Sequence, residues 1–178
     1  MGDFTRHARA TGITLLVHLV AGIIGVLFLH FSAHSQRIID PGMLQRLSSN
    51  GAQYVDYFIN DGVRKAETWV ISLAIISFII SVGWLLLSNS VSPGGDTHAR
   101  SRLGLWFLGL LLVAAAGAGL GWWRFVHKLE ASYFSDAFLT PLLISSAIGV
   151  VIAYYLGCAL GIKPSMRPSV PFANAWLR

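Results

Sequence analysis

The chain has 178 residues, of which 54% are hydrophobic and 12% are charged, and its formal net charge is +5. A soluble domain carries about 25% charged residues, so this composition excludes an ordinary soluble fold. The charges are few and scattered, which argues against a nucleic-acid-binding surface, and the single cysteine, Cys158, excludes an intrachain disulfide.

Four apolar segments without Asp, Glu, Lys or Arg predict an all-α integral membrane protein. They cover residues 12–31, 69–87, 103–123 and 138–160. A helix rises about 1.5 Å per residue, so about 20 apolar residues cross the hydrocarbon core. We therefore predict a single membrane domain over residues 1–178, with four antiparallel transmembrane helices and the lipid bilayer as its surroundings.

The charges that flank the segments predict an orientation. Arg6 and Arg9 precede the first segment, and Arg100 and Arg102 precede the third. Lys and Arg concentrate on the cytoplasmic side of membrane proteins, and the first span often decides the orientation. We therefore predict a bacterial inner-membrane protein with both termini in the cytoplasm.

His18, near the middle of the first segment, is the most informative single residue. A polar ring at that depth must face protein, because exposing it to lipid is costly. We favour a structural hydrogen bond to a neighbouring helix, through Ser72, Ser77 or Ser81. No segment contains a carboxylate, which argues against an ion-coupled carrier.

A redox site is the alternative interpretation of the histidines. His30 and His127 both map to the outer interface, and two histidines on facing helices can hold a b-type haem. His18 has no partner histidine at its own depth. We therefore predict no cofactor and no metal, and keep haem b or a quinone, bound through His18, His30 and His127, as the alternative.

The first loop predicts an amphipathic helix over about residues 41–59. Asp40-Pro41 is typical of a helix N-terminus, and apolar residues then recur at helical spacing. Asn50-Gly51 can divide this helix into two pieces. Asn60-Asp61-Gly62 predicts a turn before the second transmembrane helix.

The third segment contains small residues that favour close helix packing. Gly117 and Gly121 form a GxxxG motif, which lets two backbones approach within a membrane. The partner helix belongs either to the same chain or to another subunit. Trp69, Trp106, Trp122 and Trp123 stand at predicted span ends, which predicts an aromatic belt at the membrane interface.

Three prolines predict an extended C-terminal tail over residues 162–178, because proline lacks a backbone donor. Its apolar residues Phe172, Trp176 and Leu177 are candidates for docking on a neighbouring protein. Insertion into the membrane interface through Trp176 is the alternative.

The sequence contains no Ser-His-Asp, P-loop or Rossmann pattern, so we predict a protein that is not an enzyme. We expect an accessory or structural subunit of a multi-subunit membrane complex, which associates with other membrane proteins. A bacterial secretion or conjugation machine and a respiratory or photosynthetic assembly are examples. The alternatives are the redox subunit described above and a small transporter or channel.

Overall fold

The computed structural model describes residues 3–33, 41–49, 51–90, 95–123 and 134–177. These residues are almost entirely helical and contain no β-strand. Four helices among them are long and apolar enough to cross a membrane. The predicted all-α, multi-pass membrane architecture is therefore confirmed. His127 and Asp40 lie outside the described residues.

Six α-helices follow one another along the described part of the chain. They are α1 (Asp3–Ala33), α2 (Pro41–Ser48), α3 (Ala52–Asn89), α4 (Gly95–Ala115), α5 (Asp136–Gly161) and α6 (Ala173–Trp176). A π-helical turn, Ala116–Leu120, extends α4, and a 3-10 helix, Pro164–Ser169, lies between α5 and α6. The membrane-length segments are Thr5–Phe31, Val55–Asn89, Ser101–Leu120 and Phe138–Gly161.

The last part of the first loop, from Ala52, and the second predicted span form one helix of 38 residues, α3. Gly51 separates it from α2, with a φ of 107° that glycine tolerates best. The turn predicted at residues 60–62 is wrong, because α3 continues through it. Asp61 lies 2.5 Å from Lys65 one helical turn later, and such pairs stabilise a helix. The buried Gly62 costs the helix only about 1 kcal/mol relative to alanine.

The bundle is built around α1, α3 and α5, which contact one another, while α4 packs on α5, on the 3-10 helix and on α3. Small residues allow α1 and α3 to approach closely. A Cβ atom built on Gly25 would lie 2.7 Å from Val70 Cγ1, and one built on Gly22 would lie 3.7 Å from Ala74 Cβ. As the residue number rises along α1, the number of its partner on α3 falls.

Two of the four tryptophans predicted for an aromatic belt lie inside the bundle. Trp69 and Trp106 are only 5% and 3% exposed. Trp69 lies against Gly121, where the missing side chain leaves room for an indole ring. The belt assignment is therefore wrong for these two residues. Trp122 and Trp123 are about half exposed.

The C-terminal tail is folded onto the bundle, so the predicted extended conformation is wrong. Met166, Val170 and Ala173 are buried, and the 3-10 helix contacts α4. Pro164 stands at the start of the 3-10 helix, where a missing backbone donor is tolerated, as at the first position of an α-helix. The Tyr155 hydroxyl donates a hydrogen bond to the Pro171 carbonyl oxygen at 3.0 Å. Prolines therefore shape this tail without keeping it extended.

Candidate functional site

Four buried polar side chains form a cluster where α1, α3 and α5 meet. We call Thr14, His18, Ser77 and Ser81 the His18 cluster. Their exposed fractions are 0%, 3%, 0% and 0%. Of the three serines predicted as partners of His18, Ser77 and Ser81 face the ring. Ser72 instead donates to the Thr68 carbonyl oxygen of its own helix.

Hydrogen bonds determine which His18 nitrogen carries the proton. Nδ1 lies 2.8 Å from the Thr14 carbonyl oxygen, which only accepts, so Nδ1 is the donor. Nε2 lies 2.9 Å from Ser77 Oγ, whose other acceptor, the Val150 carbonyl oxygen, is 3.4 Å away. In the neutral ring, Nε2 therefore accepts from Ser77. Both ring nitrogens are engaged within the protein.

The cluster also connects α1 to α5. Thr14 Oγ1 lies 2.9 Å from the Ala10 carbonyl oxygen and 3.3 Å from that of Gly157. A Cβ atom built on Gly157 would lie 3.0 Å from His18 Cε1. Gly157 therefore leaves the space that the imidazole occupies. The sequence indicates the histidine and the serines but gives no indication that this glycine is opposite them.

His30 does not join this cluster. His30 Nε2 lies 2.6 Å from Glu67 Oε1, at the far end of α1. His18 and His30 are twelve positions apart, which is about 18 Å along a helix. His127 lies outside the described residues. No group of three His, Cys, Asp or Glu side chains that could hold a metal ion occurs within the part of the chain that the structure describes.

The GxxxG motif packs inside the chain. A Cβ atom built on Gly117 would lie 3.0 Å from Ala147 Cα of α5. One built on Gly121 would lie 2.7 Å from Leu143 Cδ2 and 2.9 Å from Trp69 Cζ2. The GxxxG motif therefore packs against helices of the same chain, which is the first of the two alternatives considered from the sequence. The neighbouring Gly119 faces open space and is exposed.

A second buried cluster was not predicted from the sequence. The Tyr154 hydroxyl donates to the Trp106 carbonyl oxygen at 3.0 Å, and the two ring centroids are 5.6 Å apart. Tyr154 and Cys158 are completely buried, and Gly109 lies directly against the Tyr154 hydroxyl. The sequence signal that could have indicated this cluster is Tyr154 itself. It stands one helical turn before Cys158 and next to small residues. This cluster joins α4 to α5.

Two apolar grooves flank α1. The α1–α5 groove has a volume of about 620 Å³, and the α1–α3 groove has about 440 Å³. Small side chains line much of the α1–α5 groove, namely Ala21, Gly22, Gly25, Ala74, Ser145, Ser146, Gly149 and Ala153. His18 lines the α1–α3 groove together with Phe78. The sequence did not predict either groove, because their walls come from helices far apart in the chain.

Comparison with known proteins identifies no relative of this chain. No protein-family model, characterised protein or solved structure matches this chain. Any proposal about function therefore depends on the geometry alone.

The three docking candidates of the tail differ in their surroundings. Phe172 is 81% exposed, which is the largest exposed fraction among the exposed large hydrophobic residues of the described part. Leu177 packs partly against the core, and its carbonyl oxygen accepts a hydrogen bond from the Arg167 guanidinium. The Trp176 side chain lies outside the described part. Of the two candidates whose side chains are described, Phe172 is therefore the accessible one.

Proposed function

We propose that the chain is a non-enzymatic subunit of a multi-subunit membrane complex and that its α1–α5 groove receives a transmembrane helix of another subunit. The observation that carries this proposal is the line of small residues along both walls of that groove. Gly149, on the α5 wall, has nothing within 4 Å of a built Cβ atom and so allows a third backbone to come close. Within a membrane, helices associate through such close packing.

The satisfied polar groups also favour a structural role over a redox role. Both nitrogens of His18 are already hydrogen bonded, and His30 is paired with Glu67. Binding iron through His18 would require breaking its bond to Ser77. A haem or quinone bound through His18 or His30 is therefore less well supported, because both side chains are already engaged within the described part of the chain.

In this proposal the four long helices alternate in direction. Their contacts support this arrangement: His18 meets Ser77, and Gly25 meets Val70. On α4 and α5, Gly109 meets Tyr154 and Gly121 meets Leu143. In each pair of helices, one residue number rises while the other falls.

Filling the α1–α5 groove is expected to release the partner subunit. A Cβ atom built on Gly149 has nothing within 4 Å, so Gly149→Leu leaves the chain's own fold intact. The leucine occupies the space of the incoming helix. We expect complexes purified from native membranes to retain the parent chain's partner and to lose it with Gly149→Leu.

Gly83→Leu is the matched control for this experiment. Gly83 is also exposed and has nothing within 4 Å of a built Cβ atom, but it lines neither groove. We expect Gly83→Leu to retain the partner. Equal partner recovery from both variants would contradict the proposed docking site.

We further propose an inner-membrane location in a bacterium, with both termini cytoplasmic and α2 as an amphipathic helix on the outer surface. Arg6 and Arg9 at the start of α1 support this orientation. Ser49 and Ser165 are both exposed and lie on opposite sides in this topology.

Cysteine labelling tests the orientation in a chain in which alanine replaces Cys158. A membrane-impermeant maleimide should label Ser49→Cys in intact cells. It should label Ser165→Cys only after the cells are permeabilised. The reverse pattern would show that the chain is inserted the other way round.

A further inference from the structure

The tail after α5 turns back toward the membrane-spanning part of the bundle. Tyr155 donates its hydrogen bond to Pro171 from a position six residues before Gly161, the last residue of the α5 span. Six residues correspond to about 9 Å along a helix. The Pro171 carbonyl oxygen is therefore within reach of a side chain that belongs to the α5 span.

A contact from α4 places the Tyr155 ring at the same level. The ring centroids of Tyr155 and Trp106 are 6.2 Å apart. Trp106 is five residues inside the start of the α4 span at Ser101, or about 8 Å along the helix. The contacts from α4 and from α5 therefore indicate a similar depth for the tail.

A group of polar contacts lies where α5 ends and the tail begins. The Lys163 backbone N–H donates to Asn89 Oδ1 at 3.1 Å, and Lys163 Nζ donates to the Asn89 carbonyl oxygen at 3.0 Å. Asn89 Nδ2 donates to the Gly161 carbonyl oxygen at 3.3 Å. The 3-10 helix begins directly after this group, and the chain then returns to the level of Tyr155.

Phe172 directly follows Pro171, the residue whose carbonyl oxygen is bound by Tyr155, and its side chain is exposed. It is 81% exposed and is the one non-glycine residue with a positive φ, 60°, among the described residues. A bulky side chain rarely adopts this left-handed conformation. On α5, the exposed Ile152 and Leu160 lie on either side of the level of Tyr155.

Part of the backbone of this turn is satisfied inside the protein. The Ala173 N–H donates to the Val170 carbonyl oxygen at 3.2 Å, and the Ala175 N–H donates to that of Phe172 at 2.9 Å. Pro171 has no N–H group. Backbone polar groups must be satisfied inside the protein before they can face hydrocarbon.

We propose that the segment 162–177 is a membrane-interface anchor and that Phe172 inserts into the lipid acyl chains of the leaflet at this end of the bundle. The lipid is favoured over a protein partner because the side chain lies at the depth of lipid-exposed residues of α5. The strained turn keeps the phenyl ring directed away from the bundle. Lys163 lies at the polar boundary of the same leaflet.

Depth-dependent fluorescence quenching tests this anchor in the full-length chain. Alanine replaces Cys158, and Phe172→Cys carries a nitrobenzoxadiazole label in phosphatidylcholine–phosphatidylglycerol vesicles that contain no other protein. We expect lipids with a doxyl group on the acyl chain to quench this label severalfold more strongly than aqueous iodide does.

Two matched positions calibrate the measurement. Leu160→Cys is a lipid-facing reference on α5, and Ser165→Cys is an exposed position on the 3-10 helix. The label at Phe172→Cys should resemble the label at Leu160→Cys. Quenching like that at Ser165→Cys would overturn the proposal. Aqueous exposure in these vesicles with protection only in native membranes would assign the side chain to a protein partner and would also overturn it.

A second measurement keeps Phe172 unchanged, so its outcome does not depend on how the labelled variants fold. The unmodified chain is reconstituted with a phospholipid that carries a diazirine on its acyl chain and is then irradiated. Mass spectrometry should locate lipid adducts at Phe172 as well as at Leu160. Adducts at Leu160 without any at Phe172 would contradict insertion.

Discussion

Gly117→Leu is expected to destabilise the isolated chain by about 3 kcal/mol, which is at the upper end of the usual cost of overpacking. A Cβ atom at this position would already lie 3.0 Å from Ala147 Cα and 3.2 Å from Val150 Cγ2. Backbone atoms of a neighbouring helix cannot move aside as the end of a flexible side chain can. The leucine therefore forces α4 away from α5.

Unfolding of the purified protein, followed by circular dichroism during titration with a denaturing detergent, measures this loss. Gly119→Leu is the control, since it adds the same side chain two positions away, where a Cβ atom has nothing within 4 Å. We expect Gly119→Leu to unfold at nearly the parent's detergent concentration. Equal stability of Gly117→Leu and the parent would show that this face of α4 does not pack inside the chain.

His18→Leu is expected to destabilise the chain by about 1–2 kcal/mol, within the range measured for interhelical hydrogen bonds in membranes. Leucine fills much of the imidazole volume but removes the 2.9 Å bond to Ser77. Ser77 then keeps the longer bond to the Val150 carbonyl oxygen at 3.4 Å.

A double-mutant cycle with Ser77→Ala isolates the interaction between the two side chains. The coupling free energy should be about 0.6 kcal/mol and not more than about 1.7 kcal/mol. His18→Gln should lose less stability than His18→Leu, because an amide retains one hydrogen bond. A coupling free energy of zero would contradict the proposed structural role of the bond between His18 and Ser77.

The visible spectrum of the same samples decides between this role and the redox alternative. We expect the parent protein to show no Soret band. A Soret band that disappears in both His18 variants would instead establish haem binding.

The sequence predicted the four long apolar helices well, because the hydrocarbon thickness restricts both length and composition. It also identified Ser77 and Ser81 as possible partners of His18. What it could not predict was register: nothing in the chain order indicates that Gly157 stands opposite His18. Helix contacts depend on rotation and translation, and hydropathy contains little information about either.

Two predictions failed because a local rule was applied without its tertiary context. Asn60-Asp61-Gly62 is typical of a turn, but α3 continues through it: Asp61 pairs with Lys65, and Gly62 is buried in spite of its cost to the helix. Pro164 and Pro171 oppose an α-helix, but they are compatible with the 3-10 helix and the turn that pack on α4 and α5. In both places packing decided the conformation.

The continuity of α3 gives the molecule a mechanical property. Its 38 residues form a rod about 57 Å long, without a hinge between its first turns and its membrane part. Tyr57 and Ser77 belong to the same rod, about 30 Å apart. A force that tilts the Tyr57 end must therefore also tilt the segment that holds Ser77 against His18. Load applied to the N-terminal part of α3 is transmitted directly to the centre of the bundle.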